Sequence, residues 1–369
     1  MRFDPVLLVT TLLLAVVGLV MVYTATRGTL VGQGLPAADA LSVIKRQGIF
    51  VFLGVGVMVA LAVLDYRRLE YVGYLLYGLM LFALLAVLVP HVGSSALGSS
   101  RWFSLGPLQV QPSEFAVLGE IVAVATYCSR RPEGLAWRDV VRLLIMAGIP
   151  ILLVVKQPDM GTAIIMTVVL MVMLAVAGLP GRILLLLVLA SVAVFLVALK
   201  AGFLHSYQIS RLTSFIHQDS NNPSLQGAIY NLQQAKDAIG SGGMFGRGLL
   251  HGTATNLGYV PEQQTDFIFT AVGEQLGFVG GTAVLGLLGI VCWRVLRAAR
   301  VARDPFGRLL CAGIFTFLAY STFQNAGMTM GIMPITGIPL PFVSYGGSAA
   351  LCFFACVGVA LSVGVRRSS

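Results

Sequence analysis

Two carboxylates, Glu262 and Asp266, stand four residues apart where a polar, glycine-rich stretch within Ala238–Gly281 turns into an apolar run. At helical spacing they share one face. A carboxylate at such a boundary can serve as a general base. It can equally lie in the first turn of a helix, where the dipole favours an acid and Thr265 would be the N-cap. Acids and cations recur at similar boundaries. Glu114 follows Pro112 and Ser113 at the head of an apolar run, a costly place for an acid unless it is paired or wet. Lys156, Gln157, Pro158 and Asp159 form a turn between two apolar runs, and a plain turn requires neither Lys156 nor Gln157. Arg46, Arg101, Arg211 and Arg247 add cations in or beside loops, although Arg101 next to Trp102 also suits interfacial anchoring. The stretch SGGMFGRG has the glycine content of a phosphate-binding loop but lacks the lysine spacing of a nucleotide site. Acids, cations and an apolar surround together suit a substrate with a lipid tail and a diphosphate head.

The elements that must position these residues are membrane helices. The chain has 369 residues, 57% hydrophobic and only 11% charged, against about 25% charged in a soluble domain. A bilayer core requires apolar runs of about 17 to 25 residues. Such runs lie near Val6–Thr24, Gly48–Leu64, Val72–Val89, Ser113–Tyr127, Val141–Val155, Met160–Gly178, Ile183–Leu199, Phe267–Trp293, Leu309–Met330 and Ser348–Val365. The expected fold is an all-α polytopic membrane protein of about ten spans, forming one transmembrane domain over residues 1–369. The first run has no A-x-A cleavage site and reads as a retained helix. Five cysteines within or at the ends of apolar blocks read as free buried thiols.

Arginine placement sets the orientation. With the N-terminus inside, 15 of the 24 Lys and Arg residues fall on inner segments. Both termini are therefore expected to be cytoplasmic. The net charge of +9 is mostly a topology signal, aided by anionic membrane lipid, and implies no nucleic-acid partner. All the loops rich in glycine, proline, glutamine and isolated acids then fall outside. The longest, residues 200–265, is far beyond an ordinary connection. Its segments SYQISRLTSF and AIYNLQQAKDAIG read as short amphipathic helices at the interface. The segment PITGIPLPFVSYGGS, rich in proline and glycine, reads as a fixed, non-helical re-entrant stretch. The outer parts of the helices near Ser321–Pro334 and Ser348–Val365 are expected to expose apolar surface for a partner helix.

The stretches RWFSLGPLQVQPSEFA, KQPDMGTA, YQISRL, AIGSGGMFGRG, PEQQTDFIFTAVGEQLGFVGG and PITGIPLPFVSYGGS occur in order over nearly the whole chain. In these the chain resembles the SEDS family of polytopic cell-wall polymerases (shape, elongation, division and sporulation proteins). The last motif and the short tail look more like the elongation member, RodA, than the division member, FtsW. The resemblance implies a peptidoglycan glycosyltransferase in the cytoplasmic (inner) membrane that polymerises lipid II at the outer face. It also implies a class B penicillin-binding protein as the transpeptidase partner. The family's catalytic acid corresponds to Asp266. Two positions depart from the family pattern: Val117 stands where a Lys often pairs with Glu114, and Gln264 stands where a His is common.

The residues fit that chemistry. A sugar hydroxyl attacks the anomeric carbon as the lipid diphosphate leaves, and a carboxylate base takes the hydroxyl proton. The diphosphate is already a good leaving group, so cations suffice to steady its charge. One base is then enough, unlike the carboxylate pair of a glycosidase, and direct displacement inverts the sugar carbon. Asp266 is assigned as base, with Arg46, Arg101, Lys156, Arg211 and Arg247 as candidate cations and Glu114, Asp159 and Glu262 as further binding candidates. A divalent cation (Mg or Mn) could share the task with Asp159 or Glu114, although no ligand spacing demonstrates one. The alternative is a lipid II flippase, with Glu114, Glu120 and Glu274 forming a path across the bilayer. Glu120 and Glu274 are read in preference as buried polar links between helices.

Overall fold

The computed structural model describes residues 3–32, 34–89, 94–96, 99–105, 108–131, 134–201, 206–218 and 225–366. The helices in chain order are α1 (Pro5–Gly32), α2 (Ala40–Val63), α3 (Arg67–Ala86), α4 (Pro112–Ser129), α5 (Trp137–Lys156), α6 (Met160–Val176) and α7 (Gly181–Lys200). Then come α8 (Ser206–Ile216), α9 (Gln226–Ser241), α10 (Thr253–Asn256), α11 (Ile268–Val301), α12 (Pro305–Thr329) and α13 (Gly347–Val365). Each of the ten apolar runs is a helix. Seven of them, α1, α2, α3, α7, α11, α12 and α13, are long and apolar enough to cross a membrane. Helix α6 is apolar but 17 residues long, while α4 and α5 carry charged residues near their ends. The chain is thus a helical, multi-pass membrane protein. Helix α1 runs well past its expected end at Thr24, and Gly28 in the added part lets the chain of α10 press against it. A Cβ at Gly28 would lie 2.4 Å from the Thr255 carbonyl oxygen.

Local chemistry explains where the helices begin. Asp4, Asp159 and Asp304 each accept a backbone N–H three residues ahead, from Leu7, Thr162 and Gly307. Pro5, Pro112 and Pro305 occupy first helical positions, where a missing N–H costs nothing. Pro150 lies inside α5 and cannot bond back to the Met146 carbonyl. That carbonyl accepts the Tyr77 hydroxyl instead, at 2.6 Å.

Small residues bring the helices together, as expected where lipid removes any hydrophobic drive for helices to associate. Gly54 faces the Phe354 ring and Gly358 faces the Met58 backbone, so α2 and α13 pack closely. Helix α13 is 83% buried over its apolar window. This corrects the expectation of a docking face there: the small residues of α13 are spent on its own bundle. On α12, Phe323 remains exposed, as do Met330 and Ile332 just beyond it. One end of the bundle is held by ion pairs. Arg67 meets Asp304 at 3.3 Å, Arg131 meets Asp139 at 2.8 Å, and Arg366 meets Asp65 at 3.6 Å. Arg294 donates to Asp4 at 2.8 Å.

The opposite end carries the long irregular segments. A small antiparallel sheet of β1 (Ser94–Ala96), β2 (Ser99–Leu105) and β3 (Leu108–Val110), in that order, precedes α4. It was not legible from strands this short; Phe103 pairs with Val110 and Leu105 with Leu108. Helices α8 and α9 match the two amphipathic segments, and α9 buries Leu232, Ala235 and Ala238 on one face. Gln208 on α8 donates to the Pro158 carbonyl at 3.3 Å. Gln218 and Lys236 bond to each other at 3.0 Å, and Gln218 donates to the Gly331 carbonyl at 3.2 Å.

Candidate active site

The turn that bears Asp266 is not helical. Residues 261–267 form consecutive turns, begun by Glu262 at φ +49°. The Glu262 carbonyl accepts the N–H groups of Thr265 and Asp266, both at 3.2 Å, and the Thr265 hydroxyl at 3.1 Å. Helix α11 starts at Ile268, with Phe267 at the N-cap position and no side-chain cap. Two expectations are therefore corrected: Glu262 and Asp266 do not share a helix face, and Thr265 is not the N-cap. The left-handed residue at Glu262 turns the chain too tightly for a helix to begin there. Gln263, buried, anchors the turn from below by donating to the Thr255 and Thr270 hydroxyls at 3.1 and 3.0 Å.

Helix α11 breaks at Gly277, whose φ is +67°. The glycine-rich loop before it supplies the missing partners. Arg247 and Gly248 donate to the carbonyls of Glu274 and Gln275 at 3.0 and 3.1 Å, and Phe278 and Val279 donate to Gly243 and Met244 at 2.9 and 3.0 Å. The loop must approach backbone to backbone, and Gly242, Gly246 and Gly277 allow it. A Cβ at Gly277 would lie 2.2 Å from the Gly246 nitrogen. Glu274 is fully buried and accepts from the N–H groups of Ala254 and Thr255 and from the Thr255 hydroxyl, at 2.7 to 2.9 Å. Its geometry is that of a polar link that starts α10.

The proline-rich segment from Pro334 to Gly346 is non-helical along its length. It threads between Gly18 of α1 and Gly161 of α6, which would clash with its carbonyls if either carried a Cβ. Gln47 of α2 clamps its far end, donating to the Ser344 carbonyl and accepting from the Gly346 N–H, both at 3.3 Å. The Tyr345 N–H donates to the Gln264 carbonyl at 2.8 Å and so ties this segment to the Asp266 turn.

These pieces enclose a cavity of about 660 Å³. Asp266, Glu262, Glu114 and Asp159 line it together with Arg46 and Arg211, and Trp102, Phe50, Phe317 and Phe353 give it apolar walls. Asp266 and Arg211 converge beside Gly337. A Cβ there would lie 3.1 Å from the Asp266 Oδ2 and 3.8 Å from the Arg211 Nη1. Val117 also lines the cavity, below Glu114. The structure does not bring Lys156 or Arg247 here. Lys156 ends α5 with its side chain exposed, and Arg247 donates to the Ser241 carbonyl and the Thr253 hydroxyl, bracing its own loop. Arg101 belongs to β2, and its side chain lies outside the described residues.

Asp159 is almost saturated. Its Oδ2 accepts from Gln111, Ser113 and Thr162 at 3.0, 2.8 and 2.9 Å, and its Oδ1 caps α6. It knots α4, α6 and the strand-to-helix junction, which leaves it little capacity for a ligand. Glu114 differs: its Oε2 is buried and has no hydrogen-bond partner among the described residues. Among the described residues, no three His, Cys, Asp or Glu side chains converge as a metal site. Sequence reasoning missed Gln47, Gln111, Asn325 and Gly337. The available signal was an amide or glycine placed in or beside an otherwise apolar segment.

Comparison with known proteins agrees with this architecture. Residues 5–369 match the family described as cell cycle protein, FTSW_RODA_SPOVE. Stage V sporulation protein E of Bacillus subtilis (strain 168) is 35% identical over 362 residues, covering 98% of this chain and 96% of that protein. Peptidoglycan glycosyltransferase MrdB of Escherichia coli (strain K12) is 34% identical over 366 residues, covering 99% and 94%. A chain from a solved peptidoglycan synthase complex, described for its structural coordination of polymerization and crosslinking, superposes with a TM-score of 0.81 at 30% identity, covering 100% of this chain and 99% of that one. Matched from Pro5 onward and over nearly the full length of these relatives, the chain belongs to the FtsW/RodA/SpoVE family.

Proposed function

We propose that this chain is a peptidoglycan glycosyltransferase that polymerises lipid II at the outer face of the cytoplasmic membrane. The observation that carries the reading is the convergence of Asp266 and Arg211 on the wall of a cavity with apolar sides. A lipid-linked sugar diphosphate requires that combination. The acceptor hydroxyl attacks the donor's anomeric carbon and loses its proton to the Asp266 carboxylate. The bond to the diphosphate breaks with inversion, and Arg211 and Arg46 steady the departing charge. Glu262, exposed at the cavity rim, and Glu114, deeper within it, face the substrate without taking the proton. The irregular end of the bundle then lies outside, and the ion-paired arginine end faces the cytoplasm with both termini. The proline-rich motif favours the elongation role, with a class B penicillin-binding protein as the crosslinking partner.

The test is turnover of purified protein on lipid II in detergent, where no compartments exist and transport alone yields no product. Wild-type protein should build glycan polymer, and Asp266→Asn should lower the rate by about 10²- to 10⁴-fold, the usual cost of losing a general base. Lipid II binding should survive the change, because Asn matches Asp in size. Polymerisation by Asp266→Asn at the wild-type rate would remove Asp266 from the chemistry and turn attention to a flippase.

A further inference from the structure

Asp266 sits in a turn with no regular secondary structure to fix it, four residues from a strained Glu262 and two before α11 begins. A base must be held within a fraction of an ångström of its proton, since misplacement by about 1 Å can cost about 10²-fold in rate. Something outside the turn has to supply that precision.

We infer that Asn325 is the positioning residue for Asp266. Asn325 lies in α12 and is fully buried. Its amide nitrogen donates two hydrogen bonds, to the Asp266 carbonyl at 2.8 Å and to the Ile338 carbonyl at 2.7 Å. Both donors of one –NH₂ group are therefore used. They join two irregular segments, the turn at 261–267 and the proline-rich stretch, to one rigid membrane helix. The residue before Ile338 is Gly337, the one that faces the Asp266 carboxylate. Asn325 thus fixes both the backbone that carries the base and the wall against which the base rests. Gly337 adopts φ +75° and has no side chain, so it makes room for Asp266 Oδ2 where a methyl group would crowd it. Both carbonyls belong to segments outside any regular helix or strand, and a buried carbonyl left without its hydrogen bond is costly.

The inference rests on the reading of Asp266 as general base, and the test separates the two. Purified full-length protein is assayed on lipid II as wild type, Asn325→Ala, Asn325→Asp, Asp266→Asn and the Asn325→Ala/Asp266→Asn double variant. Asn325→Asp keeps the shape of the side chain but has no –NH₂ to donate. Both Asn325 variants should lose about 10- to 100-fold in kcat, with KM changed less than about twofold because Asn325 itself does not line the cavity and the variants keep Arg46, Arg211 and the aromatic side chains that do. The double variant should be no slower than Asp266→Asn alone, since a strut cannot matter once the base it holds is gone.

Asp266→Asn at the wild-type rate overturns the general-base reading and this inference with it. Inactive Asp266→Asn together with wild-type kcat in both Asn325 variants overturns the positioning role alone. So does a loss confined to KM, or a double variant slower than Asp266→Asn by the full Asn325→Ala factor. Should the Asn325 variants fail to purify as folded protein, Gly337→Ala gives the same decision from the other side. It leaves Asn325 intact and should lower kcat by a similar factor, while wild-type kcat there would overturn the inference.

Discussion

Glu262 and Asp266 are neighbours in the turn, yet they face different tasks. Glu262 is exposed, accepts one weak bond from the Thr265 hydroxyl at 3.4 Å, and contributes its carbonyl more than its carboxylate. Glu262→Gln should therefore retain polymerisation within about tenfold of wild type, less than the loss of a general base. Steady-state rates beside Asp266→Asn check this, and equal losses at both positions would show that the turn carries a shared charge. Glu274 makes the opposite case. Its two carboxylate oxygens accept three hydrogen bonds, and Gln would set an –NH₂ against one donor group. Glu274→Gln should destabilise the protein by about 1–3 kcal/mol. The folded fraction at low temperature should keep its rate. A melting curve in detergent with the rate per folded molecule distinguishes this role from a proton path, where activity would fall and melting would not.

At the scale of elements, the long apolar runs were legible because a bilayer sets one strict demand, about twenty apolar residues per crossing. Asp266 was legible for a related reason: an acid beside such a run must be explained. Its local conformation was not. The pattern that reads as a helix start is overridden by a left-handed Glu262 and by bonds from residues far along the chain, such as Tyr345 to Gln264. Counting cations near the irregular face also over-collected, since Arg247 and Lys156 look equivalent to Arg211 until the loop is folded. The break at Gly277 was hidden for the same reason, because one glycine among many carries no mark. Gly277→Ala should be among the most damaging single changes in α11. The backbone conformation alone costs about 1–3 kcal/mol, and the added methyl would meet Gly246 at 2.2 Å. Gly286→Ala, in the same helix with no atom of the described residues within 4 Å of its Cβ position, should be tolerated. Yield and monodispersity of the two proteins in detergent provide the comparison.

For the whole molecule, the two ends of the bundle are chemically opposite, and that polarity is testable in cells. A cysteine at Phe245, on the exposed tip of the glycine-rich loop, should react with a membrane-impermeant thiol reagent. One at Arg300, on the arginine end, should react only after lysis. Reversed labelling would invert the assignment of the site to the outer face. Partner docking also belongs to this scale. With α13 buried, Phe323, Met330 and Ile332 are the exposed apolar residues left of the expected surface, and Phe323 is the largest of them. Phe323→Arg should weaken co-purification with a penicillin-binding protein by about tenfold or more, the weight of an interface hot spot. The mended break in α11 has a different consequence. Four hydrogen bonds around Gly277, and three more at Glu274, come from chain that precedes Gly258, whereas α11, α12 and α13 follow it. The site is therefore assembled from two stretches of polypeptide joined by many contacts besides the peptide bonds between them. A gene split after Gly258 should yield two halves that find one another in the membrane and complement a strain lacking the intact protein.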